Sequence, residues 1–295
     1  MAAVRTSDHT VGSLVPPVLE PYARVFHPSA WRDDFGRDVE VGWTPVTAAN
    51  GRQAHAGEQW VVVTGSWEYH HGQAQPGVWD AEPVEGSLLA AQAEALVQVL
   101  TRFTGAAEEC FYAVWEGYGT LGLAAVAKTV PMPSREMPLL TGPSSQAARV
   151  STEECSREQS PTLWWPGDRS WCVATGVDLM STCVGGSRAC IDAVLAAPGL
   201  VAWEVQERQR VTYDSDELNP VPPPVQEGHP RRERVWDSWR RPREASSAWT
   251  SSRFMRHLRR PFVDGPVPGA SARASACCAS RRRRRGPSSG RTRIP

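Results

Sequence analysis

The chain has 295 residues, and its formal charge of zero averages two opposite parts: residues 1–218 carry 14 Lys and Arg against 27 Asp and Glu, and residues 219–295 carry 18 against 5. The acidic part is long enough to bury a core, and its charge argues against a nucleic-acid phosphate backbone as its ligand. Met1 to Pro17 has no basic stretch followed by an unbroken apolar run, and no segment is apolar for the roughly 20 residues that span a bilayer, so the expectation is a cytoplasmic protein with no membrane partner.

Residues 1–19 carry Pro16 and Pro17 and read as a flexible lead-in to a domain over 20–218. Gln59 to Thr64, apolar and β-branched, predicts a strand. His70 to Gly77 is polar and predicts a loop. Ser87 to Phe103 is the clearest helix: Leu89, Leu96, Leu100 and Phe103 share one face, Ser87 stands where a cap belongs, and Thr104-Gly105 supplies the stop. Cys110 to Trp115 reads as a strand closed by Gly117-Tyr118-Gly119. Glu136 to Thr141 reads as another, confined to an edge by Pro138. Residues 142–160 form a long polar loop. Strand 171–175, helix 186–197 ended by Pro198-Gly199, and strand 200–205 complete the domain. The order predicts an α+β fold with a mostly antiparallel sheet and packed helices. Strand 171–175, the helix and strand 200–205 also fit a single βαβ unit.

Seven cysteines without a Cys-x-x-Cys argue against a zinc site or a disulfide framework. Cys110, Cys172, Cys183 and Cys190 fit buried free thiols.

The most unusual segment is Ser160 to Thr175, where Trp164, Trp165 and Trp171 fall within eight residues. Pro166-Gly167 fits the centre of a type II turn, followed by Asp168 and Arg169. Adjacent tryptophans in extended chain point to opposite faces. Either one fills the core while the other, with Asp168, Arg169 and Trp171, offers an interaction surface, or both are buried on the two sides of a sheet. The block Trp-Trp-Pro-x-Asp-Arg-x-Trp, followed by Asp178 and by Ser181-Thr182-Cys183-Val184-Gly185-Gly186-Ser187, resembles a family of uncharacterised actinobacterial proteins. The resemblance extends upstream through 22–28, 101–119 and 135–142 and ends near 213–219. Cys183 stands where that family has a larger side chain and Gly176 where it has an acid. The resemblance implies domain limits and no particular chemistry.

Gly185-Gly186-Ser187 reads as a helix start, where free backbone N–H groups hold a phosphate or carboxylate. Asp178 and Arg188 lie near it in sequence, and together these five residues form a candidate ligand site. Neither a Walker loop nor a Gly-x-Gly-x-x-Gly fingerprint is present. The plainer alternative is a tight turn with Ser187 as cap. His70, His71 and Asp80 lack the spacing of metal ligands, and Asp214, Asp216 and Glu217 lack that of a calcium loop. No metal and no cofactor is therefore expected. No residue carries a catalytic assignment, which leaves enzymatic activity open.

Residues 219–295 have Arg without Lys, with abundant Pro and Ser, and no helix or strand period, and are expected to be disordered. Arg281 to Arg285, with Trp236, Trp239 and Trp249 among arginines, fit a nucleic-acid arm. The same composition is what GC-rich DNA yields in a shifted reading frame. Three functions follow: a non-catalytic interaction or regulatory module with a protein partner at the Trp-rich surface, an enzyme or sensor for a small anion at Gly185-Gly186-Ser187, and nucleic-acid binding by the tail.

Overall fold

The computed structural model describes residues 9–69, 73–115, 128–132, 135–149 and 159–223. His70, His71, Gly117-Tyr118-Gly119 and the arginine-rich run of the tail lie outside them. The chain divides into two units, 1–246 and 247–295, and all described residues belong to the first.

The fold is α+β. Eight antiparallel strands form one sheet in the order β10-β1-β9-β8-β7-β4-β6-β5. These are β1 (Tyr22–Phe26), β4 (Cys110–Ala113), β5 (Lys128–Met132), β6 (Arg135–Gly142), β7 (Leu163–Pro166), β8 (Trp171–Thr175), β9 (Ser181–Gly186) and β10 (Val201–Val205). A separate hairpin joins β2 (Ser29–Arg32) to β3 (Asp38–Val41). The helices are α1 (Val11–Leu14), α2 (Trp43–Ala49), α3 (Trp60–Val63), α4 (Ala90–Leu100) and α5 (Arg188–Leu195). No helix among the described residues is long and apolar enough to cross a membrane.

Alternation along β1 sorts the interior into layers, because successive side chains of a strand point to opposite faces. Ala23 and Val25 join Leu96 and Leu100 of α4 and Ile191 and Val194 of α5 in one apolar cluster. Tyr22 joins Val11, Val15, Cys172, Cys183 and Val211 in a second cluster. Phe26 reaches a third, where Trp43 stacks on it at 4.4 Å, Trp60 lies tilted against Trp43 at 5.4 Å and Trp79 meets Trp60 edge-on at 5.1 Å.

Val11 and Val15 are fully buried, and Val11 and Gly12 donate their N–H groups to Gln209 and Glu207 carbonyls. Residues 9–19 are thus a packed part of the domain, where a flexible lead-in was expected. The domain also continues past residue 218, since Asn219 is buried.

Three sequence expectations need correction. The run 59–64 is not a strand: α3 takes it, with Val63 and Thr64 donating to the Gln59 and Trp60 carbonyls and Gly65 closing the turn at φ 71°. All four of its residues are buried, so burial on every side outweighs their β-branched preference. Strand β6 is not an edge, because it lies between β4 and β5. Pro138 accepts the Val114 N–H at 3.0 Å just past the last residue of β4, so its missing donor falls at the end of that ladder. The strand feeding α5 is β9, not 171–175. Both β9 and β10 run antiparallel to β1, which lies between them, so they are parallel to each other but not adjacent.

Helix α4 begins later than predicted, with Leu89 as N-cap and no side-chain cap. Ser87 instead accepts the Ser160 N–H at 2.8 Å while the Ser160 hydroxyl accepts the Leu88 N–H at 2.8 Å. A reciprocal serine pair thereby ties the start of this helix to the segment entering β7.

Candidate functional site

The tryptophan block folds as the β7–β8 hairpin. Trp164 and Trp165 do point to opposite faces, and both are buried. Trp164 packs edge-on to Trp171 at 5.1 Å within the helix-side cluster, and Trp165 stacks on Phe111 at 5.7 Å on the other side. An interaction surface built from Trp164, Trp165 and Trp171 is therefore corrected to core. Packing on both faces of the sheet accounts for three large aromatics in so short a stretch.

The turn differs from the type II reading as well. Arg169 donates its N–H to the Pro166 carbonyl at 2.9 Å, so Gly167 and Asp168 are the central pair, and the left-handed residue is Arg169 at φ 57°. A Cβ on Gly167 would lie 2.9 Å from Glu109 Oε2, the end of an exposed side chain that can swing aside, and 3.3 Å from the Glu109 carbonyl oxygen. Asp168 is exposed and accepts from the Thr104 hydroxyl at 2.7 Å, the Gly105 N–H at 3.0 Å and the Ser170 N–H at 3.1 Å. Desolvation alone would raise its carboxyl, but these bonds hold it below the ordinary value. Asp168 thus fastens the turn to the residues that follow α4.

Gly185 and Gly186 do not open a helix. They are the last two residues of β9, buried and paired with Cys172 and Trp171. A Cβ on Gly185 would lie 2.6 Å from Val15 Cγ1 and 2.9 Å from the Leu19 carbonyl oxygen. Glycine there lets the N-terminal segment lie flat on the sheet. Gly185→Ala is expected to lower stability by about 1–3 kcal/mol through overpacking, measured by urea denaturation; an unchanged midpoint would show that the N-terminal segment yields freely. Ser187 is the N-cap of α5 and accepts the Cys190 N–H at 3.3 Å. Arg188 is exposed, and its guanidinium holds Glu204 of β10 at 2.6 and 3.0 Å and Asp192 at 3.3 Å. Asp178 is exposed in the turn between β8 and β9. Of these five residues, the structure uses two as packing glycines, one as a cap and one in surface ion pairs, and it leaves Asp178 at the surface.

A polar network that the sequence did not suggest lies on the face of β1 opposite the long helices. Arg24 is 1 % exposed. Its Nε donates to Ser181 Oγ at 2.9 Å, Nη1 to the Ala56 and Glu58 carbonyls at 3.2 and 3.1 Å, and Nη2 to Gln59 Oε1 at 3.2 Å. All four acceptors are neutral oxygens. The ring of Phe26 lies 4.7 Å from its guanidinium carbon. Burial pulls Arg24 down to about 10, with Cys183, Glu58 and Asp216 acting the other way, so it is charged at neutral pH. Glu58 is fully buried and accepts the Thr47 hydroxyl at 3.1 Å through Oε2, while Oε1 has no hydrogen-bond partner. Burial pushes its carboxyl up to about 7, against the Thr47 bond and the Arg24 charge.

The network continues toward the C-terminal side of the domain. His55 Nδ1 accepts the Gly57 N–H at 3.1 Å, and its Nε2 lies 2.9 Å from Asp216 Oδ1. That pattern fixes the tautomer protonated at Nε2. Asp216 also accepts from the Leu218 and Asn219 backbones and from the Asn219 amide. Burial would raise Asp216, but these bonds, with the Asn219 backbone and amide foremost, hold it below its usual range. Alongside, His27 lies buried between the Val84 carbonyl at 2.6 Å and Thr182 Oγ1 at 2.9 Å. Thr182 in turn meets Thr175 at 2.8 Å. Burial lowers His27 to about 4. These chains pin loop 55–59 and segment 210–219 onto the sheet. Arg24 in the apolar pattern of β1 was the available signal, since an arginine between Ala23 and Val25 in a buried strand must find internal partners.

The apolar surface lies elsewhere. Trp31 and Val39 stand directly opposite in the β2–β3 ladder and are 41 % and 44 % exposed, and Phe35 in the connecting turn is 83 % exposed. Asp33 accepts the Phe35 and Arg37 N–H groups at 3.0 and 2.8 Å and pairs with the Arg37 guanidinium at 2.7 Å. Arg37 also lies 5.1 Å from the centre of the Phe35 ring. At the base, Ala30 bonds Asp80 and Ala81. No group of histidines, cysteines or carboxylates among the described residues is arranged to hold a metal ion. Comparison with known protein families, with curated proteins and with solved structures finds no match, so residues and geometry alone carry the functional argument.

Proposed function

We propose that this chain is a non-catalytic interaction or regulatory module that meets a protein partner through the β2–β3 hairpin. One observation carries the reading: Trp31, Phe35 and Val39 are exposed together on a hairpin whose turn is already held by Asp33 and Arg37. Aromatic and arginine side chains on a preorganised element are the usual anchors of protein interfaces. The Arg24 network, by contrast, bonds to the chain's own backbone and side chains. Membership of the actinobacterial family belongs to the same proposal, on the strength of the tryptophan block. So does a cytoplasmic location, which the free buried thiols Cys110, Cys172, Cys183 and Cys190 support.

The test is a photo-crosslinking phenylalanine analogue at position 35 in the native host. The expected result is a discrete adduct whose partner, once purified, binds the unmodified chain. Phe35→Ser should weaken that binding at least tenfold while leaving the melting temperature unchanged. Equal affinity for the parent and for Phe35→Ser and Trp31→Ser would refute the reading.

A further inference from the structure

The last described stretch, Asn219-Pro220-Val221-Pro222-Pro223, is neither helix nor strand. Three prolines in five residues bias it toward the polyproline II conformation, whose carbonyls have no partners of their own. Here they are taken up by side chains of the domain. The Trp67 indole N–H donates to the Pro222 carbonyl at 2.9 Å, and Arg52 Nη1 donates to the Pro220 carbonyl at 3.3 Å. Pro222 is buried while Pro220, Val221 and Pro223 are exposed. The Tyr213 ring stands edge-on to Trp67 at 5.4 Å and is itself 58 % exposed. Upstream, Asn219 anchors the segment by a two-way pair with the Gln53 backbone at 2.8 and 3.0 Å.

An indole N–H and an arginine reading alternate carbonyls beside an aromatic wall is the chemistry by which domains recognise proline-rich peptides. We infer that Trp67, Tyr213 and Arg52 form a proline-peptide groove, occupied by the chain's own segment 219–223 and open to a proline-rich peptide of a partner when that segment leaves. The tethered segment competes at the high effective concentration of an intramolecular ligand. The groove is therefore self-inhibited, and weakening the segment exposes it. This surface is distinct from the hairpin, and either can fail alone.

The probe is the fluorescently labelled synthetic peptide Asn-Pro-Val-Pro-Pro-Pro, titrated with the full-length chain and its variants with fluorescence anisotropy as readout. Pro220→Ala with Pro222→Ala is expected to bind the peptide at least tenfold more tightly than the parent chain. Adding Trp67→Phe, which keeps a ring and loses the donor, should abolish the gain. Asn219→Ala, which loosens the anchor and leaves the prolines intact, should reproduce the gain if the double variant does not fold. Equal affinity in the parent and in a folded variant of the segment overturns the inference, as does binding that survives Trp67→Phe.

Discussion

Arg24→Met lowers the unfolding free energy by about 3–5 kcal/mol, because it strips one shared donor from four neutral buried acceptors. The methionine fills much of the same volume, so the loss comes from polar groups and not from a cavity. Ser181, the Ala56 and Glu58 carbonyls and Gln59 would all lose a donor inside the fold, and each unsatisfied buried group costs on the order of 1–3 kcal/mol before relaxation. Arg24→Lys should recover part of the loss, because a single ammonium reaches fewer of these acceptors than the planar fork does. Urea denaturation of the three chains gives the ranking parent, Lys, Met. Limited proteolysis should show new cleavage in 55–59 and 210–219 for the Met variant. A loss below about 1 kcal/mol would mean that loop 55–59 stays in place without the arginine.

The second large effect is on pH dependence, and it is hidden in the parent chain. His27 has its folded value lowered by burial to about 4 from 6.5. Its contribution to stability is complete above the unfolded value and is lost as pH falls from about 6.5 toward 4, because the unfolded state binds the proton first. Glu58 has its folded value raised by burial to about 7 from 4.5. Its contribution is complete below about 4.5 and is lost as pH rises toward 7, because the folded state holds the proton longer. Between about pH 4.5 and 6.5 the two slopes oppose each other, each up to about 1.4 kcal/mol per pH unit. The parent chain should therefore change stability by less than about 1 kcal/mol over that window. Glu58→Gln removes one arm, and its stability should fall by about 2–3 kcal/mol from pH 7 to pH 4.5. Asp33, Asp168 and Asp216 are held below their ordinary values and lose their contributions at lower pH. Parallel stability curves for parent and Glu58→Gln would contradict this compensation.

What the sequence made legible follows its physical signals. Helix α4 was readable because Leu96 and Leu100 repeat on one face, and β8 because five consecutive buried residues are bounded by polar turns. The run Trp60–Val63 is apolar without a period, and such a run does not separate a buried strand from a buried helical turn. Strand β9 escaped because its Gly185-Gly186 resembles a ligand loop, whereas Gly185 answers to Val15 and Leu19, more than 160 positions earlier in the chain, and Gly186 to Trp171 and Cys190. The tryptophan block was correctly split between two faces, yet its burial on both sides depends on Phe111 and on α4, which lie far from it in sequence. The Arg24 network is likewise long-range: its partners at 56–59 and 181 meet only in the folded sheet. Local pattern gives periodicity and turns, and the site is made of contacts that local pattern does not encode.

The position of β1 has a consequence for synthesis. It is the first strand of the sheet, yet its two neighbours are β9 and β10, at Ser181–Gly186 and Val201–Val205. On the ribosome, Tyr22–Phe26 must wait through some 160 residues of translation before either ladder can close, with the Arg24 guanidinium still hydrated. Closure over so long a loop is slow, and the strand is open to wrong pairing in the meantime. The charged arginine in its middle keeps that waiting strand soluble and makes it a poor template for another chain, so the residue that locks the finished fold also guards the unfinished one.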